Sequence, residues 1–520
     1  MDKTNLADIR IQSEKEREAA IQKEYNRFVT GERLLQLTQL SAEHNSRDAY
    51  GKLCEWIDKR NFAHDGHIGT LFGLRRTGKT VIMHQLAHRY YKKGIKVAYA
   101  TYRYKEAEFN SIIPAVQRLV DEGYSLILLD EITRTEGFYN GSMTLSDLLT
   151  AKIVVAGTES LMLYWSMCDP LFGRTVSGRT TSMRYEEYKR IFPDRGIENF
   201  MRDGGVLWEN EPETVSDYLR TSVVENIKNS VNLLESWDSH TDKETLGEID
   251  GDTLLRLLVA VCEKGTEGNV RSHMESYRDE GVAWKLTQAH MHEGESKKDI
   301  RLKAIKDGLQ EYYAQIPEDG YDTTLVDTLI KRLKNLNFLE VINESRSGLG
   351  GVDILTITQP YIKRDFIRRT LSIMPEYSDL LLGSTVERME AIADGIILED
   401  TVYFEARHRY FDRNTITDNV FKLKDGSKEI DVCVFHEKTK HLSLIEVKFS
   451  DKKVKTGVDA PTGQDRWLID VDLVTELERF FNPNKTTRTV LYRGITDEHP
   501  DENGVRWVNV EEWLLGEIHV

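Results

Sequence analysis

The sequence predicts an α/β protein in three parts: a parallel-sheet domain, a helical middle that closes on a winged-helix pattern, and a second α/β domain. Three observations lead there. From about residue 36 to 205, short apolar runs alternate with amphipathic stretches, the pattern of right-handed βαβ units around a parallel sheet. From 206 to about 370, helical periodicity dominates, and from 371 to 520 strand-like segments gather again. A length of 520 residues suits about three domains of roughly 100–200 residues each.

Residues 1–35 are rich in Glu, Lys, Arg and Gln and read as an exposed helix or a loose arm. The strand candidates of the 36–205 domain are Gly69–Gly73, Lys96–Tyr102, Ser125–Ile132 and Lys152–Thr158. LILL at 126–129 and IVVA at 153–156 are continuous apolar runs, as expected of parallel strands covered on both faces. In the 206–370 domain, residues 322–344 have apolar residues at helical spacing and then a strand-like segment. GLGGVDILTI (348–357) follows. Helix, strand, glycine turn, strand is the order of a winged helix. In the 371–520 domain the strand candidates are 401–407, 429–436, 442–449 and 489–495.

Composition narrows the function. The formal net charge is −16, and an acidic, self-repelling surface argues against coating nucleic acid with the whole chain. The four cysteines lie far apart, with the spacing of neither a zinc site nor a disulfide framework. The first residues are charged, without a signal-peptide core, and no apolar run of about 18 residues is present. These features predict a cytoplasmic protein with no membrane partner.

The segment GLRRTGKT, which is Gly73, Leu74, Arg75, Arg76, Thr77, Gly78, Lys79 and Thr80, matches the full phosphate-binding loop pattern between a strand and a helix. Gly73 and Gly78 allow the tight turn that points backbone N–H groups at phosphate oxygens, and the helix dipole adds to them. Lys79 is expected on the β- and γ-phosphates and Thr80 on Mg²⁺. SLILLDEI (125–132) ends a buried strand in two acids. Asp130 is expected to hold Mg²⁺ through water, and Glu131 to orient and deprotonate the attacking water. Glu131 argues for hydrolysis of ATP as well as binding. Thr158 or Ser160, at the end of the next strand, is a polar sensor of the γ-phosphate or a helix cap. Arg174 and Arg179 are candidates to stabilise the transferring phosphoryl group, within the chain or on a neighbour, or are surface ion pairs.

A second constellation lies in the last domain. Asp431 falls on one strand candidate, and Glu446 and Lys448 fall on one face of the next. Two or three carboxylates suit Mg²⁺, which would polarise a phosphodiester, with Lys448 placing the water or meeting the developing charge. Alternating charges on a half-exposed strand are the plainer reading. YIKRDFIRR (361–369) is basic with interleaved aromatics and is a phosphate contact or a solvated helix face.

Taken in order, these motifs resemble the prokaryotic AAA-type, STAND-like P-loop ATPases that carry a winged helix and a C-terminal nuclease-like domain. The loop and LLDEI, the strand AGTESLML (156–163), LFGR (171–174), MRYEEY (183–188) and DGG (203–205) carry the resemblance. The chain departs from the pattern at GGVLWENEPE (204–213) and at Arg-Tyr in place of Ser-Phe. Asp431 and Glu446-x-Lys448 resemble the PD-(D/E)XK nucleases, with Glu387 as the helical metal-binding glutamate and Gln464 as the polar residue of the following helix. The resemblance implies an ATPase coupled to a metal-dependent DNA endonuclease-like domain with ATP and Mg²⁺ as cofactors, acting on double-stranded DNA, a role in defence against foreign DNA, and a homo-oligomer. The alternative is a regulatory ATPase whose inactive nuclease-like domain only binds a protein partner or DNA.

Overall fold

The computed structural model describes residues 3–518 apart from 60–67, 103–108, 147–150, 169–170, 172, 182, 205–206, 208–213, 233–245, 248, 277–322, 347–349, 373–382, 411–418, 426–427 and 457–462. The chain falls into two compact units. The first comprises 1–183, 206–257 and 322–338, and the second 184–205, 258–321 and 339–520.

The core of the first unit is a sheet of β1 (Ile68–Phe72), β2 (Val97–Thr101), β3 (Leu126–Asp130), β4 (Lys152–Gly157) and β5 (Thr175–Arg179), in the order β2-β3-β4-β1-β5. Every pairing in it is parallel. β1, β3 and β4 are buried along their whole length, as apolar runs covered on both faces must be. The four predicted strands are all present. Leu34, Leu53, Trp56, Leu86 and Tyr90 pack on one face with Val97, Leu128 and Val154. The predicted N-terminal arm is a helix, Lys3–Arg27. It docks through Tyr25, whose hydroxyl donates to Glu122 at 2.7 Å, and through Gln22, which accepts from Arg118 at 3.1 Å.

The second unit holds a mixed sheet of β6 (Leu339–Arg346), β7 (Gly350–Ile357), β8 (Val420–Asp425), β9 (Lys428–His436), β10 (His441–Val447), β11 (Lys485–Tyr492) and β12 (Val505–Asn509). Its order is β12-β11-β10-β9-β8-β6-β7. A core of Phe421, Ile430, Leu444, Leu473, Val490 and Trp507 lies under it.

Three expectations are corrected here. First, the helix, strand, turn, strand order is real, with a helix at Thr323–Asn335 and an antiparallel β6–β7 hairpin. The hairpin is not the wing of a separate 206–370 domain. β6 pairs in parallel with β8, so backbone hydrogen bonding makes it the edge of the larger sheet, and the two units divide between Phe338 and Leu339. Second, 206–257 returns to the first unit, and 184–205 leaves it. Third, 401–407 is not a strand. It continues the helix Gly383–Tyr410, where Ala393, Ile397, Val402 and Ala406 are buried. The β-branched and aromatic run TVYF suggested a strand, but helical packing overrides so short a propensity signal.

Candidate functional site

β1 delivers the chain into the glycine-rich loop at its C-terminal end, and the helix Lys79–Lys92 leaves it. Gly78 lies at φ 87°, which glycine adopts without strain. A Cβ on Gly73 would meet Thr180 Oγ1 at 2.1 Å, so the close approach of the neighbouring loop requires glycine there too. The Gly73 amide donates to Ser160 Oγ at 2.9 Å, the Leu74 amide to Thr181 Oγ1 at 3.2 Å and the Arg75 amide to Ser222 Oγ at 2.9 Å. Arg76 is in the left-handed region at φ 60°. Thr77 Oγ1 donates to the Leu74 carbonyl at 2.7 Å, and buried Arg47 donates to the Thr77 carbonyl at 2.7 Å.

The charged groups converge on this loop. Lys79 is buried, and its ammonium donates to the Gly73 and Leu74 carbonyls at 2.8 and 2.9 Å. Burial pulls its pKa down, while the Glu131 and Asp130 charges hold it up. Thr80 Oγ1 donates to Asp130 Oδ2 at 2.9 Å, as does Tyr99 Oη at 3.1 Å. Burial and the neighbouring Glu131 charge raise the Asp130 pKa, and the two hydroxyls oppose this. The donor set is a hydroxyl and a carboxylate, hard oxygen ligands of the kind Mg²⁺ prefers, so Thr80 and Asp130 fit the metal assigned to them. Glu131 sits at φ 56°, an uncommon conformation of the kind found at functional sites. Its carboxylate accepts from the Thr158 amide at 2.8 Å and from Thr158 Oγ1 at 2.6 Å. Asn226 Nδ2 in turn donates to the Thr158 carbonyl at 2.6 Å.

Two sequence candidates therefore part roles. Thr158 holds the acidic pair's second member, and Ser160 fastens the first glycine of the loop. The two arginines also part. Arg179 ends β5 opposite Phe72, beside the loop, with its guanidinium over the Phe72 ring and donating to Asn337 Oδ1 at 3.3 Å. Arg174 precedes β5, and its carbonyl accepts from the amide of Ile68. That is the opposite end of the strand, about 16 Å from the loop for five residues of extended chain. Arg174 is thus at the wrong edge of the sheet to meet a phosphate bound by its own chain. Arg47, Tyr99, Ser222 and Asn226 were missed, because they come from outside the motif.

In the second unit, β9 and β10 bring Asp431 and Glu446 together. Asp431 Oδ2 accepts from the Val447 amide at 2.7 Å, and Lys448 Nζ lies 2.5 Å from Glu446 Oε2 and 3.4 Å from Asp431 Oδ2. Burial raises the Asp431 pKa, but Lys448, Lys422 and the Val447 amide together hold it below its usual value. Burial and the Asp431 charge push Glu446 well up. Glu446 Oε1 is buried without a hydrogen-bond partner. The helical carboxylate here is Glu399, which pairs with Lys422 Nζ at 3.3 Å. Burial and the Asp431 charge push Glu399 up to about 8. Glu387 lies twelve residues earlier in the same helix, about 18 Å along its axis, and its side chain falls outside the described residues. Gln464 is not on the following helix Val471–Phe481. It lies in the turn before it and accepts from the Val454 amide at 3.2 Å.

Mg²⁺ is often held by one or two carboxylates and water. Asp431 and Glu446, with the orphaned Oε1, fit that minimal set. Among the described residues, no group of three or more His, Cys, Asp or Glu is arranged to hold a metal.

The basic segment 361–369 is neither a phosphate contact nor a solvated face at its two leading cations. Lys363 is 2% exposed, pairs with Asp400 and donates to Thr356 Oγ1 at 2.9 Å. Arg364, also buried, pairs with Asp394.

Residues 65–189 match the AAA domain family model, so the first unit carries an AAA-type P-loop domain. No curated protein matches the chain. Similar solved structures include the Orc1 protein of Aeropyrum pernix in complex with DNA, at 13% identity over 65% of this chain and 96% of that one, with a TM-score of 0.23. AMPPCP-bound DnaA from Aquifex aeolicus matches at 15% identity over 56% of this chain and 86% of that one, with a TM-score of 0.20. Likenesses this low add nothing to the assignment. No helix among the described residues is long and apolar enough to cross a membrane.

Proposed function

We propose that the chain is an ATP-hydrolysing AAA-type ATPase with Mg²⁺ as cofactor. The observation that carries this is one cluster on one sheet edge: Lys79 in the loop, Thr80 on Asp130, and Glu131 held by Thr158. Lys79 would exchange its two loop carbonyls for phosphate oxygens. Thr80 and Asp130 would hold Mg²⁺, which supplies charge neutralisation at the phosphates. Glu131 would hold the attacking water and accept its proton. Thr158 controls where that carboxylate points. The test is release of inorganic phosphate from ATP by wild type and Lys79→Ala, with binding of a fluorescent ATP analogue measured beside it. Wild-type release that Lys79→Ala abolishes supports the reading. Undiminished release in Lys79→Ala refutes it.

We further propose a metal-dependent nuclease-like site in the second unit, with double-stranded DNA as its substrate class. It is supported by two acids and a lysine on adjoining strands, a helical glutamate at hand and the orphaned Glu446 oxygen. Asp431 and Glu446 would hold the metal, and Lys448 would place the water. A role in defence against foreign DNA, and assembly into a homo-oligomer, rest on the family resemblance alone. The rival is a unit that binds a partner or DNA without cutting. Cleavage of plasmid and linear DNA with Mn²⁺, by wild type and Lys448→Ala, separates the two. Cutting lost in the variant supports the nuclease, and no cutting in any lane supports the rival.

A further inference from the structure

Asp130 is held by more than the phosphate-loop threonine. Tyr99 lies on β2, one strand over, and is 3% exposed. Its hydroxyl donates to the same Oδ2 that Thr80 uses, at 3.1 Å against 2.9 Å. The Asp130 carbonyl accepts from the Tyr102 amide at 2.8 Å, which holds the carboxylate's own backbone to β2. The ring is fixed as well. His84, on the helix that leaves the loop, stands edge-on to it at 5.0 Å between centroids. β2 is the outer strand of its sheet, where unpaired backbone groups are normally exposed. Here the segment after the N-terminal helix covers it at this one residue. The Val29 amide donates to the Tyr99 carbonyl at 2.8 Å, and the Tyr99 amide donates to the Val29 carbonyl at 3.1 Å.

We propose that Tyr99 is a positioning residue for the divalent cation held at Asp130, with its hydroxyl fixing the carboxylate and the Val29 bridge fixing Tyr99. The proposal rests on Asp130 being a cation ligand. With the Thr80 hydroxyl engaged by the cation, Tyr99 would be the donor that still orients Oδ2. Groups that orient a metal ligand in this way typically change metal affinity by roughly 10–100-fold when removed.

The test is direct binding of Mn²⁺, followed by its electron paramagnetic resonance signal, to the full chain saturated with a non-hydrolysable ATP analogue. Tyr99→Phe keeps the ring against His84 and removes only the hydroxyl. It is expected to weaken Mn²⁺ binding about tenfold while leaving analogue binding in EDTA at the wild-type value. Wild-type Mn²⁺ affinity in Tyr99→Phe overturns the proposal. So does an equal loss of metal-free nucleotide binding, which would mark general damage to the site. Asp130→Asn is the control that separates the two layers. If it weakens Mn²⁺ binding and Tyr99→Phe does not, only the role of Tyr99 falls. If neither weakens it, the assignment of Asp130 falls and the proposal falls with it.

Discussion

Lys363→Met should be among the most destabilising single substitutions in the second unit. Lys363 is 2% exposed and Asp400 5% exposed. The pair shares Thr356, whose Oγ1 accepts from Lys363 at 2.9 Å and donates to Asp400 at 2.8 Å. Methionine fills much the same volume but carries no charge. Asp400 is then left in the interior with one hydroxyl donor from this trio. Removing one partner of a buried ion pair costs about 3–5 kcal/mol, because the remaining charge stays desolvated. For a unit of this size, each kcal/mol lowers the melting temperature by about 2–4 °C, so a fall on the order of 10 °C is expected. Because the chain has two units, a single global transition cannot be assumed. Hydrogen exchange at β8 and β9 localises the loss. Lys363→Met with Asp400→Leu should recover most of the stability, since a well-packed apolar pair is often as stable as the ion pair it replaces. A single variant within about 1 kcal/mol of wild type, the scale of an exposed pair, would refute the reasoning.

Three further outcomes are expected. Glu399, pushed up to about 8 from an ordinary 4.5, binds its proton more tightly folded than unfolded, so its contribution favours the folded unit at low pH and is lost as pH rises from about 4.5 to 8. Melting of the second unit across that range should show the slope, and Glu399→Gln should flatten it; a slope unchanged in Glu399→Gln counts against the buried placement. Gly73→Ala should abolish nucleotide binding, since its Cβ falls 2.1 Å from Thr180 Oγ1; titration with a fluorescent ATP analogue checks this, and binding at wild-type affinity contradicts the packing described. Lys448→Met should disturb both Asp431 and Glu446, which it bridges, and should abolish any Mn²⁺-dependent DNA cleavage; cleavage at the wild-type rate would remove Lys448 from the site.

Much of the candidate nucleotide site was legible because its parts are contiguous. GLRRTGKT and LLDEI each carry their chemistry within eight residues, and the apolar runs around them fix the parallel sheet. The partners of that site were not legible. Tyr99, Arg47 and Asn226 reach it from other strands and helices, and nothing in their local sequence marks them. The place of Arg174 was hidden for a related reason: a motif fixes sequence order, but a strand's direction decides which sheet edge a residue reaches, and this excludes only its action on a phosphate bound by its own chain. In the second unit, Asp431, Glu446 and Lys448 were legible from strand alternation. Glu399 was not, because TVYF beside it suggested a strand and concealed a long helix. The basic run at 361–369 misled because charge alone does not reveal burial, and Lys363 and Arg364 have their acids thirty or more residues away, at Asp400 and Asp394.

The most direct test of the central claim compares Glu131→Gln with wild type for both ATP binding and phosphate release in Mg²⁺. Glutamine keeps the shape and an acceptor for one of the two Thr158 donors, but its amide cannot accept the water's proton. Binding at the wild-type level with release slowed by about 10²–10⁴-fold is the predicted result. Release at the wild-type rate would contradict it, and would take from Glu131 the role on which the reading of this chain as an ATPase depends.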